Sequence, residues 1–392
     1  MSAGRRVAAV ITKLDGGAGV LALRGAVAAA GAGYETTIIT GGETAALGSG
    51  VRLLDEAAGA GVEVITVPSL TTPVSPAADL RALRALTVLL RRRRFDVVHT
   101  HTAKAGAAGR VAARRAGAAR IVHTYHGFPF HEFQSPARRA AYVAAERALG
   151  RITDVALCVG TAVAAEAVRR RLVAPARIRT MGVAVPAGPP RCDATRDRAR
   201  RALGVAPDAV VVGAVGRLTY QKAPADFLAA LRLLASGPGP ARPGLTGVWV
   251  GGGDLAGEMA RLASRPGMPP VVLAGDRADV PDLLPAFDVF ALPSLYEGLP
   301  TAIVEAMRCG IPVVATAVNA VSDVVVPGET GLLVPPRRPA LLAGAVRHLL
   351  DHPGEAARMA AAARGRVDGR YGLDALREVL VSAYENPRHP LL

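Results

Sequence analysis

Lysine, cysteine and aromatic residues are all scarce in this 392-residue chain. Aromatic residues make up 4% of it and are not interleaved with basic ones, which argues against a stacking surface for single-stranded nucleic acid. The three cysteines, Cys158, Cys192 and Cys309, do not stand at the spacing of a disulfide framework or a zinc site. No uninterrupted apolar run reaches the roughly 18–20 residues of a membrane span. A globular protein of about two domains remains, since one core rarely serves more than about 250–300 residues.

The positive charge of the chain comes almost entirely from arginine. Lys and Arg number 47 against 32 Asp and Glu, for a formal net charge of +15. Lys13, Lys104 and Lys222 are the three lysines, and arginine supplies the remaining 44 basic residues. Ala, Gly, Pro and Val are abundant as well, so the excess of arginine is typical of a compositional bias that affects a whole genome. Because such a bias does not point to a nucleic-acid-binding surface, we predict no nucleic-acid partner.

The N-terminal residues superficially resemble a signal peptide. Arg5 and Arg6 precede an apolar run, but that run, Val7–Thr12, is shorter than a signal-peptide core and leads directly to Lys13. We therefore expect a cytoplasmic protein, with a peripheral position on the inner face of the plasma membrane as the alternative.

Short apolar runs alternate with helical patterns along the whole chain, and the alternation restarts near residue 210. The first series of predicted strands is Val7–Thr12, Thr36–Thr40, Val62–Val67, Phe95–His99, Arg120–Thr124 and Val155–Val159. The second is Val210–Val215, Val248–Val250, Val271–Ala274, Val289–Leu292 and Ile311–Ala315. Two such series predict an α/β protein with two Rossmann-like doubly wound parallel sheets. The predicted domains are 1–186 and 187–370, followed by a C-terminal helix and tail, 371–392, that crosses back to the first domain.

A glycine turn follows the first predicted strand. Gly16, Gly17 and Gly19 stand between that strand and a helix, where backbone N–H groups can approach a phosphate. The dinucleotide fingerprint GxGxxG is not matched, so that a phosphate contact and an ordinary tight turn both stay open.

Two further motifs follow strands of the second series. Gly216, Arg217 and Lys222 lie between a strand and a helix that is predicted to begin near Pro224, where an Arg fork and a Lys charge suit a diphosphate. Glu297 and Glu305 stand eight residues apart around a helix start near Thr301. A carboxylate there can accept ribose hydroxyls, and backbone N–H groups, including those of Leu299 and Thr301, can hold a phosphate. Solvent-exposed charges are the alternative interpretation of both motifs.

Five of the eight histidines stand at the ends of two successive predicted strands. They are His99, His101, His123, His126 and His131. No carboxylate stands at the spacing of a metal ligand. We expect His99 and His101, which form an HxH pair, to alternate across the strand, so no metal site is predicted. Polar lining of a cleft by side chains at strand ends is the favoured interpretation.

This combination resembles the retaining glycosyltransferases of family 4, which have the GT-B architecture of two Rossmann-like domains facing across a cleft. Glu297–Glu305 is similar to the family's E-x7-E motif, and Gly216–Lys222 to its G-R-L-x-x-x-K segment. The stretch from Asp96 to His131 is particularly similar to members that build cell-surface polysaccharides on lipid-linked acceptors. The run from Gly275 to Pro293 resembles the segment that frames the nucleobase.

The resemblance implies a role for each matching residue. Arg217 and Lys222 would stabilise the departing diphosphate, Glu297 would face the donor sugar, and Glu305 would accept the ribose hydroxyls. His126 would hydrogen-bond the transferred sugar. The remaining donor residues would be Gly16, Gly17, Gly216, Leu299, Thr301, Arg277 and Val280, the last two beside the base. The acceptor-side candidates would be Lys104, His101 and His131. No cofactor or metal is implied beyond the nucleotide-sugar donor, a co-substrate.

The implied reaction moves a hexose from a UDP-sugar, or secondly from GDP-mannose, to a hydroxyl of a lipid-linked saccharide or another acceptor. Two enzymatic alternatives are a glycosyltransferase of a soluble secondary metabolite and a GT-B UDP-sugar 2-epimerase. Basic stretches at Arg91–Arg94, Arg110–Arg115 and Arg138-Arg139 are either solvated helix faces or contacts to an anionic membrane.

Overall fold

A computed structural model of the chain describes residues 4–14, 16–42, 48–130, 134–185, 188–237 and 244–385. The chain divides into two compact units. The first consists of the chain up to Ala184 together with the segment that begins at Leu373, and the second is Val185–Gly372. The second unit is therefore inserted between two segments of the first.

The first unit is built on a parallel sheet, with seven strands among its described residues. They are β1 (Arg6–Val10), β2 (Glu35–Thr40), β3 (Glu63–Thr66), β4 (Val97–His101), β5 (Arg120–Tyr125), β6 (Val155–Val159) and β7 (Ile178–Met181). Their order is β3-β2-β1-β4-β5-β6-β7, and every neighbouring pair is parallel. The strand order reverses between β1 and β4. In open α/β sheets, ligands bind at such a reversal, outside the carboxyl ends of the strands.

Helices connect these strands, and a last helix, which follows the second unit in sequence, belongs to the first unit. The helices are α1 (Gly16–Gly31), α2 (Gly48–Gly59), α3 (Pro76–Arg93), α4 (Ala103–Ala116), α5 (Pro136–Arg151) and α6 (Thr161–Arg169), with α15 (Leu373–Glu385) packed on α1. Arginines of the sheet hold the end of α15: the Arg120 side chain donates to the Ala383 carbonyl at 2.6 Å, and Arg179 to the Ser382 hydroxyl at 3.1 Å. Cationic groups at a helix C-terminus satisfy carbonyls that lack partners within the helix.

The second unit repeats the same design, with six parallel strands among its described residues. They are β8 (Val211–Val215), β9 (Thr246–Val250), β10 (Val271–Leu273), β11 (Val289–Leu292), β12 (Val313–Thr316) and β13 (Leu332–Val334). Their order is β10-β9-β8-β11-β12-β13, with the reversal between β8 and β11. The helices are α7 (Asp193–Leu203), α8 (Pro224–Ser236), α9 (Ala256–Ala263), α10 (Val280–Leu283), α11 (Thr301–Arg308), α12 (Val321–Val324), α13 (Pro339–Asp351) and α14 (Pro353–Asp368).

The two predicted parallel sheets are confirmed, and the differences concern particular strands. β7 and β13 were not predicted. Both are edge strands with partly exposed residues, so they lack the continuous apolar run by which buried strands are recognised. The strand predicted at Phe95–His99 lies two residues further on, since Arg94 is still in the left-handed turn that ends α3.

Candidate functional site

The carboxyl ends of β8 and β11 bring Lys222 and Glu297 together across 75 residues of sequence. Lys222 ends a short 3-10 turn after β8, and its ammonium group forms an ion pair with the Glu297 carboxylate. The lysine side chain is 15% exposed and the glutamate side chain 5%, so the pair is largely shielded from water. Gly216 makes room for it, because a Cβ on Gly216 would lie 3.1 Å from Cε of Lys222.

Three polar residues that the sequence analysis did not single out hold Glu297 in place. The Ser294 hydroxyl donates to Oε1 of Glu297 at 2.5 Å, and the Gln221 amide donates to Oε2 at 3.4 Å. The backbone N–H of Glu297 donates to Oδ1 of Asn319 at 3.1 Å. A buried carboxylate needs several donors of this kind. Ser294 and Asn319 stand just after β11 and β12, so their position at strand ends was the signal that could have found them.

The remaining donor candidates of the E-x7-E segment lie on α11. Leu299 is buried before the helix, Thr301 is its first residue, and Glu305 lies one turn inside it, half-buried. The predicted helix start is thus confirmed. No described side chain caps this start, where the positive end of the helix dipole lies.

Arg217 differs from Lys222 in its surroundings. It is exposed, and within the part of the chain that the structure describes it forms no ion pair. Its backbone is nevertheless fixed by a glycine triplet after β9, Gly251–Gly253. A Cβ on Gly251 would lie 2.3 Å from the Gly216 carbonyl oxygen, and one on Gly253 would lie 2.5 Å from the Leu218 carbonyl oxygen. This triplet was not among the predicted site residues, although three glycines directly after a buried strand are a recognisable signal.

The residues proposed to lie beside the base come after β10. The Arg277 guanidinium donates to both carboxylate oxygens of Asp279, at 2.8 and 2.6 Å, and this hydrogen bonding raises the pKa of Arg277. Val280 is the first residue of α10 and is half-buried. Arg277 therefore already has a carboxylate partner within its own loop.

In the first unit, the glycine turn after β1 leads directly into α1. Gly16 has a φ of +61°, a conformation that L side chains rarely adopt, and Gly17 is exposed at the start of the helix. Gly19 is the position with the least space, because a Cβ there would lie 2.6 Å from the carbonyl carbon of Leu14. The turn therefore needs glycine for its backbone shape and its packing.

The described histidines of β4 and β5, together with His126 just after β5, form one connected cluster. Nδ1 of His101 lies 3.1 Å from Nε2 of His126, and the rings of His101 and His99 are 4.2 Å apart. The expectation that the HxH pair alternates across the strand is wrong, because residues i and i+2 of a strand point to the same face. His123 hydrogen-bonds the Thr100 hydroxyl at 2.9 Å. His131 lies outside the described residues.

Burial keeps this cluster uncharged. Desolvation, with His126 as a minor contributor, lowers the pKa of His99 to about 3, and desolvation alone lowers that of His126 to about 4. Burial, then neighbouring charged groups, depress the pKa values of His101 and His123 well below the usual range. At neutral pH each ring is therefore a neutral hydrogen-bonding group with one donor and one acceptor nitrogen.

Two basic candidates of the first unit have partners of their own. Lys104 forms an ion pair of 2.7 Å with Asp79 of α3 and also donates to the Pro73 carbonyl. Arg110 is fully buried and binds Glu146 of α5 through both carboxylate oxygens, at 3.1 and 2.9 Å. The interpretation of Arg110 as part of a solvated or membrane-facing stretch is wrong, because a guanidinium with no exposed surface can reach neither.

Within the described ranges, no group of three or more His, Cys, Asp or Glu is arranged to hold a metal ion. The described helices likewise include none that is long and apolar enough to cross a membrane.

Two family models match the two units of this chain. Residues 15–186 match the model described as Glycosyltransferase Family 4, and residues 209–352 match the one described as Glycosyl transferases group 1. A UDP-Gal:alpha-D-GlcNAc-diphosphoundecaprenol alpha-1,3-galactosyltransferase of Escherichia coli is 32% identical over 267 residues, 66% of this chain and 67% of that protein. A D-inositol 3-phosphate glycosyltransferase of Actinosynnema mirum is 33% identical over 314 residues, 75% of this chain and 73% of that protein.

Solved structures show the same architecture over nearly the whole chain. Anabaena Alr3699/HepE in complex with UDP-glucose superposes with a TM-score of 0.78 at 21% identity, covering 96% of this chain and 98% of that one. WaaG, a glycosyltransferase involved in lipopolysaccharide biosynthesis, gives a TM-score of 0.72 at 19% identity and covers 97% of this chain and 100% of its own. At this level of identity the likeness shows the fold, and it confirms the predicted pair of Rossmann-like units of the GT-B type.

Proposed function

The chain belongs to the group 1 and family 4 glycosyltransferases, and we propose that it is a retaining enzyme that transfers a hexose from a UDP-sugar to a hydroxyl of a lipid-linked saccharide. The observation that carries the proposal is the polar arrangement at the carboxyl ends of β8 and β11. There Lys222 and Glu297 form a shielded ion pair, and Arg217 adds an exposed positive charge from the same loop.

This arrangement suits a diphosphate leaving group. The Arg217 fork and the Lys222 ammonium provide positive charge where negative charge develops as the glycosidic bond breaks, which is the largest contribution that most enzymes make to catalysis. Glu297, fixed by Ser294 and Asn319, both orients Lys222 and presents oxygens to the donor sugar. We propose that these charges do the work that a divalent cation does in other transferases, so EDTA should leave the rate unchanged.

The other donor contacts in the proposal follow the motif positions. Glu305 of α11 accepts hydrogen bonds from the ribose hydroxyls, and His126 hydrogen-bonds the transferred sugar. The remaining contacts are backbone groups at Gly16, Gly17, Gly216, Leu299 and Thr301, with Arg277 and Val280 beside the base.

In the proposed mechanism the acceptor attacks the anomeric carbon on the face from which the diphosphate departs. The bond from the anomeric carbon to the phosphate oxygen breaks, the bond to the acceptor oxygen forms, and the acceptor proton moves to the departing phosphate oxygen. No covalent intermediate on Glu297 is part of this sequence, so trapping a glycosyl adduct on Glu297 would refute it.

Two kinds of relative bear on the choice of substrates. The Escherichia coli relative is named for a UDP-galactose donor and an acceptor linked to diphosphoundecaprenol, which supports a UDP-sugar and a lipid-linked acceptor here. The relatives named for D-inositol 3-phosphate use a small polar acceptor, and this observation favours a soluble acceptor as the second candidate. GDP-mannose remains the second donor candidate.

An exposed face of α3 supports a membrane position for the acceptor. Leu80, Arg84, Val88 and Arg92 are spaced four residues apart, so they share one side of the helix, and all four are exposed. A row of apolar and basic side chains is the pattern of a surface that rests on anionic lipid headgroups. We therefore propose that α3 rests against the cytoplasmic leaflet.

The donor assignment is tested by thermal denaturation with a panel of nucleotide sugars, because a ligand that binds only the folded state raises Tm. We expect UDP-sugars to raise Tm, and one of them to release UDP when a polyprenyl-diphosphate-linked saccharide is added. Release with inositol phosphate instead would favour the soluble acceptor. Conversion of the UDP-sugar to its 2-epimer without any acceptor would identify an epimerase.

Liposome flotation tests the membrane face. We expect the protein to float with vesicles that contain anionic lipid, and R84E/R92E to abolish flotation. The matched control is R198E/R201E, which changes the same charge on exposed positions of α7. Equal flotation of the two variants would refute a role for α3.

A further inference from the structure

We propose that His101 is a positioning residue that decides which ring nitrogen of His126 carries the proton. His101 would thereby set whether the other ring nitrogen of His126 donates or accepts a hydrogen bond at the transferred sugar. The inference rests on the proposed function for the contact of His126 with the sugar, but its structural part can be tested without turnover.

The geometry of the two rings carries this inference. Nδ1 of His101 and Nε2 of His126 share one hydrogen bond of 3.1 Å. His126 is partly exposed, and its Nδ1 has no hydrogen-bond partner among the residues that the structure describes, whereas His101 is only 2% exposed. One nitrogen of His126 is thus engaged by protein, and the other is left for a ligand.

A hydrogen bond between two neutral imidazoles requires one protonated and one unprotonated nitrogen. If Nδ1 of His101 carries its proton, Nε2 of His126 must accept, and Nδ1 of His126 then carries the proton and donates to the sugar. In the opposite tautomer of His101, Nδ1 of His126 accepts instead. The depressed pKa values of both residues exclude a shared positive charge at neutral pH, so the tautomer is the property that His101 controls.

The ring of His101 is itself held in place. It lies against the His99 ring, whose plane is tilted by 34° and whose centroid is 4.2 Å away. His99 in turn hydrogen-bonds the Tyr384 hydroxyl at 2.8 Å and the Thr124 hydroxyl at 2.7 Å. Contacts from α15 and β5 thus fix His99, and the His99 ring packs against the His101 ring that hydrogen-bonds His126.

Nitrogen NMR of protein labelled with 15N-histidine reads the tautomer directly. The His126 signals are assigned by their loss in His126→Gln. We expect a single tautomer of His126 in the wild type and a mixture in His101→Leu, which cannot hydrogen-bond. An unchanged single tautomer in His101→Leu would overturn the proposal.

Two amide variants of His101 distinguish its role in positioning His126 from a role in packing alone. The amide of His101→Asn reaches the place of Nδ1, whereas that of His101→Gln reaches the place of Nε2, so Asn should keep a single tautomer and Gln should not. With the best donor and acceptor, kcat of the Leu and Gln variants should fall about tenfold, the worth of one hydrogen bond, with KM for the donor unchanged and near-wild-type kcat in Asn. Equal kcat in Asn and Gln would refute positioning.

These outcomes also separate the two proposals. A wild-type protein that transfers no sugar from any nucleotide sugar refutes the proposed function, whatever the NMR signals show. An active wild type whose His126 tautomer does not depend on His101 refutes only the positioning role. If His101→Leu does not fold, the comparison of His101→Asn with His101→Gln still tests whether His101 positions His126.

Discussion

At the carboxyl edge of the second sheet, Lys222 and Glu297 form a largely shielded ion pair, and Arg217 adds an exposed positive side chain. At the corresponding edge of the first sheet, four histidines lie together as neutral rings. Both edges lie beside the strand at which the sheet order reverses, β8 in one unit and β1 in the other. The same fold thus supports two kinds of polar chemistry.

The difference between a charged and an uncharged edge corresponds to the two groups of the proposed reaction, the departing diphosphate and the transferred sugar. A nucleoside diphosphate is anionic and gains charge as it departs, so positive side chains stabilise it. A sugar hydroxyl is neutral, and an uncharged imidazole can hydrogen-bond it without attracting anions to the same place. If the two edges are as distinct as the structure indicates, acid and charge-removing substitutions should affect them differently.

Acidification should have the largest effect on the difference between the two units, because it protonates the buried histidines of the first unit and so destabilises that unit. The folded-state pKa of His99 is about 3, below the usual 6.5, so the unfolded chain takes up a proton first as the pH falls. The contribution of the neutral His99 to the free energy of unfolding is therefore fully present above about pH 6.5. It declines toward pH 3, by about 1.4 kcal/mol per pH unit for one such histidine. We therefore expect the first unit to unfold at a higher pH than the second.

Trp249, the single tryptophan, is buried in the second unit and reports on that unit alone. Hydrogen exchange of peptides from β4 and β5 reports on the first. We expect protection of β4 and β5 to be lost at a pH at which Trp249 fluorescence is unchanged. A fluorescence change at the same or a higher pH would contradict the expectation.

The first unit also contains a charged pair, but its role is structural. Arg110→Met leaves Glu146 buried without its partner, and we expect a loss of about 3–5 kcal/mol in the free energy of unfolding of the first unit. Denaturant titration with hydrogen exchange of β4 measures this loss. Arg114→Met on the exposed face of α4 is the control and should change stability little. A similar loss in both variants would show that the buried pair has no special role.

Lys222→Met tests the charged edge of the second unit. Removing the ammonium should lower kcat/KM for the donor by about 10²–10³-fold, as the loss of one transition-state hydrogen-bond donor does. Lys222→Arg keeps the charge and should recover part of the rate. Release of the nucleoside diphosphate is the measurement, and a loss of less than fivefold in Lys222→Met would place the critical charge elsewhere.

Arg217→Ala should have the smallest effect on the enzyme. A hydrogen bond from a charged group is worth about 1.5–3 kcal/mol, so we expect kcat/KM to fall about ten- to hundredfold. Because Arg217 is exposed, Tm should not change. The matched control is Arg261→Ala, an exposed arginine of α9, with wild-type kinetics. A lowered Tm in Arg217→Ala would mean that this arginine stabilises the fold.

The sequence predicted the alternation of strands and helices and the helix starts at Pro224 and Thr301, because these depend on local apolar periodicity and on breakers. It also placed Lys222 and Glu297 at strand ends. It did not predict their direct contact or the burial of Arg110, which depend on packing between residues 75 and 36 positions apart. Ser294 and Asn319 were also missed, although both stand just after strands, and so was the close approach of Gly19 to Leu14, which depends on the exact backbone path of the turn.

The return of α15 to the first unit has a consequence for the order in which the two units can be completed. Ribosomes make the chain from its N-terminus, so a nascent chain that has reached Gly372 contains every residue of the second unit. That chain still lacks α15, and His99 lacks the Tyr384 hydroxyl that it binds at 2.8 Å. The unit whose first strand is synthesised first is therefore the last to be completed.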